Sequence, residues 1–392
     1  MTGPPRKTLF DQFARNDSSL MSYGGSVFDF YNRVDEPKWA RVRDELEEWY
    51  SHYPDHGGRL RKDFRSRDQD QHFGAWWELY MYTFYRLLEY EVTPHPTLPN
   101  GKKPDFLITR DGAGTYVECK AVIERPRNAL EAWIFDCTNK ASHPDFILIL
   151  DIEQEGRQQP RIAQIRTPIE KWLQGLNADD EVAAREAGKP LPTLPLPIGD
   201  WQLLYTAYAL PPEQRGKYTR LLGLHSARVV MYDNVGLIRR AVRDKGKKYT
   251  DVDTPLEYPF IVALNTATVF IDDDEIDDAL FGSRSTLFNP YGEPKFTPLG
   301  RLPNGYWRAD PLGGTRVSAV LMGLNIDPVG AAKDTPRMWI NPWAPMPIFE
   351  TYGLATNTLQ DDGQVLRTNG NLVIHELFDL PSDWPLVDKQ CG

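Results

Sequence analysis

Long hydrophobic runs are absent from this sequence of 392 residues. No stretch of about 18 apolar residues occurs, so no transmembrane helix is predicted. The segment Met1–Phe10 carries two prolines and two basic residues but lacks the apolar core of a secretory signal. We therefore expect a cytoplasmic protein with no membrane partner.

Cysteines are also few, and the chain has no net positive charge. The three cysteines, Cys119, Cys137 and Cys391, show neither metal-ligand nor disulfide spacing, which fits a reducing cytoplasm. The 45 basic and 55 acidic residues give a formal net charge of −10. This balance argues against a surface that is positively charged throughout and binds nucleic acid non-specifically. It allows a local basic surface around an acidic site.

Proline and tryptophan are numerous, at 32 and 11 residues, so rigid turns and irregular loops are expected, particularly late in the chain. The length favours two domains, or one core with large additions. The patterns predict three regions: a helical N-terminal lead-in over 1–70, an α/β core with an extension over 71–282, and a Pro/Gly/Trp-rich region over 283–392.

The predicted core begins with a helix over about 72–90 that is aromatic around much of its circumference and is expected to be buried. Glu78 lies inside it, and a buried ionised carboxylate needs a partner. Two strands, 105–109 and 115–122, are joined by the segment Arg110-Asp-Gly-Ala-Gly114 and are predicted to form a hairpin. A helix over about 128–142 and a continuous apolar strand over 146–151 follow, and the strand is expected to be buried and central.

Acidic side chains meet on this hairpin. Strand alternation places Glu118 and Lys120 on one face, while Asp105 begins the preceding strand. Two carboxylates that meet on a sheet repel each other unless a cation lies between them, and Mg²⁺ (or Mn²⁺) is the natural cation for oxygen ligands. The main-chain carbonyl of Cys119 is a further candidate metal ligand, and Glu78 is a candidate third carboxylate.

The residues Glu78, Pro104-Asp105 and Glu118-Cys119-Lys120 resemble the signature of the PD-(D/E)XK, or restriction-endonuclease-like, nuclease superfamily. The resemblance covers about a fifth of the chain, from about residue 72 to residue 151. It implies a restriction-endonuclease-like core, with a mixed central sheet flanked by helices and with helical N-terminal and strand- or loop-rich C-terminal additions. It also implies that Asp105, Glu118 and Glu78 bind Mg²⁺ or Mn²⁺, and that Lys120 is the catalytic lysine.

The function that this resemblance implies is metal-dependent hydrolysis of phosphodiester bonds in nucleic acid, with DNA the expected substrate. Restriction or antiviral defence is the expected context by analogy, with a homodimer or a partner subunit left open. The alternative is a catalytically inactive module of the same fold that binds nucleic acid or a protein. An ordinary hairpin with a solvated Glu118–Lys120 pair is the simplest competing interpretation.

Basic residues supply candidate contacts to nucleic acid. A stretch over 59–67 and a second over 239–248 are basic, and such clusters give salt-dependent affinity for a phosphate backbone. A solvated helix face is the competing interpretation of both. The individual candidates are Lys102, Lys103, Lys140, Arg239, Arg240, Arg243, Lys247 and Lys248.

Overall fold

The computed structural model describes residues 7–123, 129–218, 220–226, 233–249, 256–267, 271–289 and 295–386. The chain forms two units: the first comprises Met1–Ser19, Ser26–Glu124 and Asp233–Gly392, and the second comprises Leu20–Gly25 and Arg125–Tyr232. These units do not follow the predicted boundaries after residues 70 and 282. Cys391 lies outside the described residues. None of the described helices is long and apolar enough to cross a membrane.

The first unit contains helices and strands from both ends of the chain. Its helices are α1 (Val27–Arg33), α2 (Pro37–His52), α3 (Arg59–Phe64), α4 (Gln69–Leu87), α8 (Asn234–Lys247), α9 (Asp273–Phe281) and α10 (Ile374–Leu377). Its strands are β1 (Glu91–Pro94), β2 (Phe106–Arg110), β3 (Ala113–Ile123), β8 (Phe260–Ala267), β9 (Arg284–Asn289), β10 (Lys295–Arg301), β11 (Ala319–Leu324), β12 (Arg337–Ile340), β13 (Ala355–Leu359) and β14 (Val365–Thr368).

The first unit is built on a mixed eight-stranded sheet of order β1-β2-β3-β8-β11-β12-β13-β14. Strands β3, β8 and β11 run parallel in its middle, and β1 and β2 continue the sheet antiparallel to β3. Strands β9 and β10 pair as a separate hairpin. The region predicted to be a C-terminal addition therefore supplies half of the sheet, because β11 pairs directly with β8.

The predicted hairpin is confirmed. Asp111 and Gly112 connect β2 to β3, and both have positive φ angles, of 52° and 81°. A two-residue turn with positive φ at both positions matches the twist of the strands that it joins, and Asp-Gly is a preferred sequence for it. This turn fixes the register, in which Phe106 lies opposite Val117.

Helices cover the two faces of the sheet. The face of β3 that bears Glu118 also bears Tyr116, which lies in one apolar core with residues of α8 and α9. The opposite face bears Cys119, and Tyr85 of α4 interacts with it. Helix α4 is tied to the sheet by Trp77, whose indole N–H donates to the carbonyl of Ala263 on β8 at 2.9 Å.

The second unit is a smaller α/β structure. Its helices are α5 (Ala129–Thr138), α6 (Ile162–Leu173) and α7 (Ala178–Glu186), and its strands are β4 (Phe146–Gln154), β5 (Thr193–Ile198), β6 (Trp201–Ala209) and β7 (Leu222–Ser226). The strands form one sheet of order β5-β6-β4-β7, so β4 is central, as its apolar sequence indicates.

The position of β4 corrects one expectation. We expected α5 and β4 to follow the hairpin within the predicted core, but β4 pairs with β6 and β7 in the second unit. The parallel neighbour of β3 is instead β8, and α8 precedes β8 in the chain. Residues 125–232 are therefore inserted, in sequence, between the hairpin and the helix and strand that continue its sheet.

Candidate functional site

Glu118 is the most deeply buried of the predicted site residues, with 0% exposure. Lys245 Nζ lies 2.8 Å and Lys248 Nζ lies 2.7 Å from its Oε1 atom. The hydroxyl group of Tyr249 donates to Oε2. Desolvation makes an unpaired buried carboxylate very costly, so these three partners stabilise it in the core. Cations are also favoured at the C-terminal end of a helix such as α8.

Asp105 immediately precedes β2, at the point where pairing with β3 ends. The last strand pair is Phe106 with Val117. Beyond it, the backbone N–H of Cys119 donates to Asp105 Oδ2 at 2.8 Å, so the carboxylate takes the place of a strand partner. This hydrogen bond holds Asp105 beside the stretch of β3 that carries Glu118.

Glu78 lies on α4 and is held by its own set of partners. It forms an ion pair with Arg59, accepts a hydrogen bond of 2.5 Å from the Tyr53 hydroxyl, and lies 3.2 Å from His95 Nε2. Burial raises the pKa of Glu78, but the hydrogen bond with His95 and the charge of Arg59 outweigh that effect. The pKa of Glu78 consequently lies below its usual value, and the group is ionised at neutral pH.

Asp105 is electrostatically the least compensated of the three acids. Burial, together with the charges of Glu118 and Glu78, raises its pKa from 3.8 to about 7, although Lys245 and the Cys119 N–H act in the opposite direction. Glu118 has two ammonium partners and Glu78 has a guanidinium partner. The cluster therefore has its least stable negative charge at Asp105, which is where an added cation would gain most.

Three oxygen groups near β3 are candidates to hold a divalent cation. Because the N–H and C=O groups of one strand residue point to the same side, the Cys119 carbonyl lies on the side of its N–H, toward Asp105. This carbonyl, Asp105 and Glu118 fit a hard cation that takes one or two carboxylates plus water. Glu118 would have to release one lysine to join it. Within the described ranges, no three or more His, Cys, Asp or Glu side chains lie together as a metal-ligand group.

Lys120 is exposed, two residues beyond Glu118 on β3. Alternation puts it on the Glu118 side of the strand, as the sequence predicts. It has no hydrogen-bond or ion-pair partner within the part of the chain that the structure describes. Its catalytic role, like the ligand role of Glu78, stays a prediction.

The predicted nucleic-acid contacts are divided between the two units. Lys102 and Lys103 precede Asp105, and the carbonyl of Lys103 lies 3.1 Å from the Tyr249 hydroxyl. Lys140 is exposed and belongs to the second unit.

The remaining candidates lie on or just after α8. Arg243 and Lys247 are exposed, Arg240 lies 3.4 Å from Asp233, and Arg239 is half-buried. Lys248, which is predicted to contact nucleic acid, forms an ion pair with Glu118. A fully buried carboxylate needs such partners, which explains this pairing, and the contact of Lys248 with nucleic acid stays a prediction.

The basic stretch over 59–67 is largely engaged inside the first unit. Arg59 pairs with Glu78, and Arg65 lies 2.9 Å from Asp11. Ionic partners of this kind remove much of the charge that a polyanion would meet, so this stretch is a weaker candidate than α8.

Sequence reasoning missed four groups of the cluster: Tyr53, Arg59, His95 and Tyr249, and it gave Lys245 no role in the site. One signal was available for α8. Its basic C-terminal end comes shortly before the apolar strand β8, so a pairing of β8 with β3 would have carried Lys245 to Glu118. Nothing local marks Tyr53 or His95, because their positions depend on packing around Glu78.

Comparisons of this chain with protein-family models, with curated proteins and with solved structures found no match. The assignment of a function to the cluster therefore depends on its residues and their arrangement.

Proposed function

We propose that the first unit is a metal-dependent nuclease with a restriction-endonuclease-like core, which hydrolyses phosphodiester bonds, with DNA as the expected substrate. The observation that carries this proposal is the position of Asp105. Its carboxylate is held against β3 beside Glu118 and has a pKa of about 7. Acidic groups forced together in this way are typical of sites that bind a cation or act on a substrate.

The order of elements supports the same proposal. In the superfamily that the motif resembles, a helix supplies an acid, a hairpin supplies Asp and then (Asp/Glu)-x-Lys, and a helix and strand follow. Here α4 carries Glu78, the β2–β3 hairpin carries Asp105 and Glu118, and α8 and β8 complete the order after the inserted second unit. Strand β8 then pairs with β3 in parallel.

The chain's own groups have distinct roles in this proposal. When bound at Asp105, Glu118 and the Cys119 carbonyl, Mg²⁺ or Mn²⁺ would supply Lewis-acid activation of the phosphate and of a water molecule. Lys245 and Lys248 provide positive charge beside the carboxylates, where it can stabilise the negative charge that develops on a phosphate. Lys120 is exposed on the face of β3 that bears Glu118. It has no partner among the described residues, so it can contact a phosphate without breaking another interaction there.

A cleavage panel tests the proposal. The full chain is incubated with single-stranded, linear duplex and circular DNA and with RNA, each with Mg²⁺ or Mn²⁺. We expect cleavage by the wild type and a loss of at least about 100-fold in Asp105→Ala, because the charge at the reacting centre is lost. Lys245→Met and Lys120→Ala separate the two lysines, and Lys38→Ala, on α2, is the matched control. Equal cleavage by the wild type and Asp105→Ala would place the active site elsewhere.

A nucleic-acid-binding module without catalysis is the second candidate. The observation that favours it is the charge balance of the cluster, in which Glu118 already has Lys245 and Lys248, and Glu78 already has Arg59. Titration with Mg²⁺ or Mn²⁺ in a calorimeter distinguishes the two candidates. The nuclease requires binding that is lost in Asp105→Ala, whereas the binding module predicts DNA binding that does not depend on the metal.

A further inference from the structure

A basic pocket lies beside α8, between its C-terminal half and the loop over residues 305–316. Its volume is about 550 Å³. Four cationic side chains line it, Arg243 and Lys247 from the helix and Arg308 and Arg316 from the loop, and no acidic residue is among its lining residues. In a chain with a formal net charge of −10, such a concentration of one sign marks a surface for an anion.

The arginines of this pocket have unused hydrogen-bonding capacity. Arg243, Arg308 and Arg316 form no ion pair with any acid in the described ranges. Arg308 Nε is buried and has no hydrogen-bond partner there either. A buried donor without a partner is costly. The other guanidinium N–H groups of the three arginines that line the pocket can donate to an oxyanion there.

The loop is shaped to present these groups. Arg308 and Gly313 exchange two backbone hydrogen bonds of 3.1 Å, which close the loop between them. The Arg308 guanidinium lies against Gly313, where a side chain would collide with it, and Gly314 has a positive φ of 70°. These glycines let the guanidinium group lie across the loop, toward the pocket.

The helix and the loop that form the walls of the pocket pack closely against each other. A Cβ atom at Gly246 would overlap the Tyr306 hydroxyl, so only glycine lets the loop approach α8 at this point. Tyr306 in turn lies near enough to Arg243 and Arg316 for their charges to act on it. The helix residue and the loop residue therefore face the same space.

Helix geometry relates the pocket to the carboxylate cluster. Arg243 and Lys247 are four residues apart and share a face, whereas Lys245 lies two residues from each and points to the other side. Lys245 contacts Glu118. Because a helix with its side chains is about 10 Å across, a ligand in the pocket cannot be the group that lies at the carboxylates.

We infer that this pocket binds a phosphate of a nucleic-acid backbone, at a different nucleotide from the one at the carboxylate cluster. Guanidinium groups form paired hydrogen bonds with phosphate oxygens, which suits several arginines around one anion. Affinity for phosphate follows from the pocket alone. Its assignment to nucleic acid rests on the proposed function.

The test measures DNA binding without cleavage. Fluorescence anisotropy of a labelled duplex is followed in EDTA, at salt concentrations from about 50 to 200 mM. We expect Arg316→Gln and Arg308→Gln each to weaken binding about threefold to tenfold, and to reduce the slope of log affinity against log salt by about one. Arg166→Gln, on α6 of the second unit, is the control, because its side chain is 48% exposed and pairs with Glu170 outside the pocket. It should bind within about twofold of the wild type.

Parallel arms separate the possible outcomes. Inorganic phosphate is titrated into the same proteins, and thermal unfolding confirms that each variant is folded. Arg316→Gln provides the test if Arg308→Gln fails to fold. The inference is overturned if a folded Arg316→Gln variant keeps the DNA affinity and the salt slope of the wild type, even if its phosphate binding is lost. Binding is measured in EDTA, where no metal-dependent cleavage occurs, so a protein that never cleaves DNA still tests the pocket.

Discussion

Replacement of Asp105 by Asn should stabilise the protein at neutral pH. Asn has nearly the same shape, and its side-chain oxygen can still accept the hydrogen bond from the Cys119 N–H that now ends at the carboxylate. What it removes is the negative charge that burial and the neighbouring acids disfavour. A substitution at the centre of the proposed site is therefore expected to raise stability while it abolishes cleavage. Such a trade-off between stability and activity is common at functional sites.

The magnitude follows from the pKa of Asp105, which is raised from 3.8 to about 7. Well below pH 3.8 the group is protonated in both the folded and the unfolded chain, and the charge has no effect. As the pH rises, the unfolded chain ionises first, so the folded state loses stability until the pH passes 7. At 1.36 kcal/mol per pH unit the full penalty is about 4 kcal/mol. Relaxation of the nearby lysines leaves an expected gain of roughly 1–3 kcal/mol for Asn.

The assay is urea unfolding of the wild type and Asp105→Asn at several pH values between about 4 and 8, followed by circular dichroism. The difference in stability between the two proteins should be smallest near pH 4, and the advantage of the variant should grow until about pH 7. Asp383→Asn, at an exposed position, is the control and should show no such growth. Mg²⁺ should narrow the gap at pH 8, because a ligand that binds the folded wild type stabilises it.

One result would refute the reasoning. If the difference in unfolding free energy between the wild type and Asp105→Asn does not change between pH 4 and pH 8, the carboxylate is not held in an unfavourable environment. The physical argument for a cation at this position would then be lost, whatever the outcome of the cleavage panel.

Two further substitutions test the packing around α8. Tyr249→Phe removes the hydroxyl group that donates to buried Glu118, and it should lower the free energy of unfolding by about 1–3 kcal/mol in urea titrations; a loss below about 0.5 kcal/mol would show that the two lysines suffice. Gly246→Ala should destabilise by about 1–3 kcal/mol despite the better helix propensity of alanine, because its methyl group overlaps the Tyr306 hydroxyl. Adding Tyr306→Phe should recover part of this loss, and a double variant no more stable than Gly246→Ala alone would contradict the steric explanation.

Local signals in the sequence predict much of the hairpin and its helix. The glycine-containing segment 110–114 predicts the hairpin connection, alternation predicts the faces of Glu118 and Lys120, and the aromatic pattern predicts α4. Each of these features depends on residues close together in the chain. The resemblance also implies a mixed central sheet flanked by helices, and the first unit has such a sheet.

Long-range pairing could not be predicted in the same way. The apolar runs of β4 and β8 look alike, and nothing in either run says which sheet it joins. We assigned the nearer run, β4, to the hairpin's sheet, but β8 occupies that position. The error also hid Lys245 and Tyr249, because their proximity to Glu118 follows only from the pairing of β8 with β3.

The insertion of the second unit also affects how the site is assembled during protein synthesis. Glu118 and Lys245 are 127 residues apart in the chain. At about 5–20 residues per second, a ribosome takes roughly 6–25 s to add that length. Throughout this interval, the edge of β3 that β8 will occupy has no partner strand from its own sheet. Glu118 also lacks its two ion-pair partners, Lys245 and Lys248. A chain released early would hold the three acids but not α8, so the complete cluster can form only in molecules whose synthesis has passed residue 249.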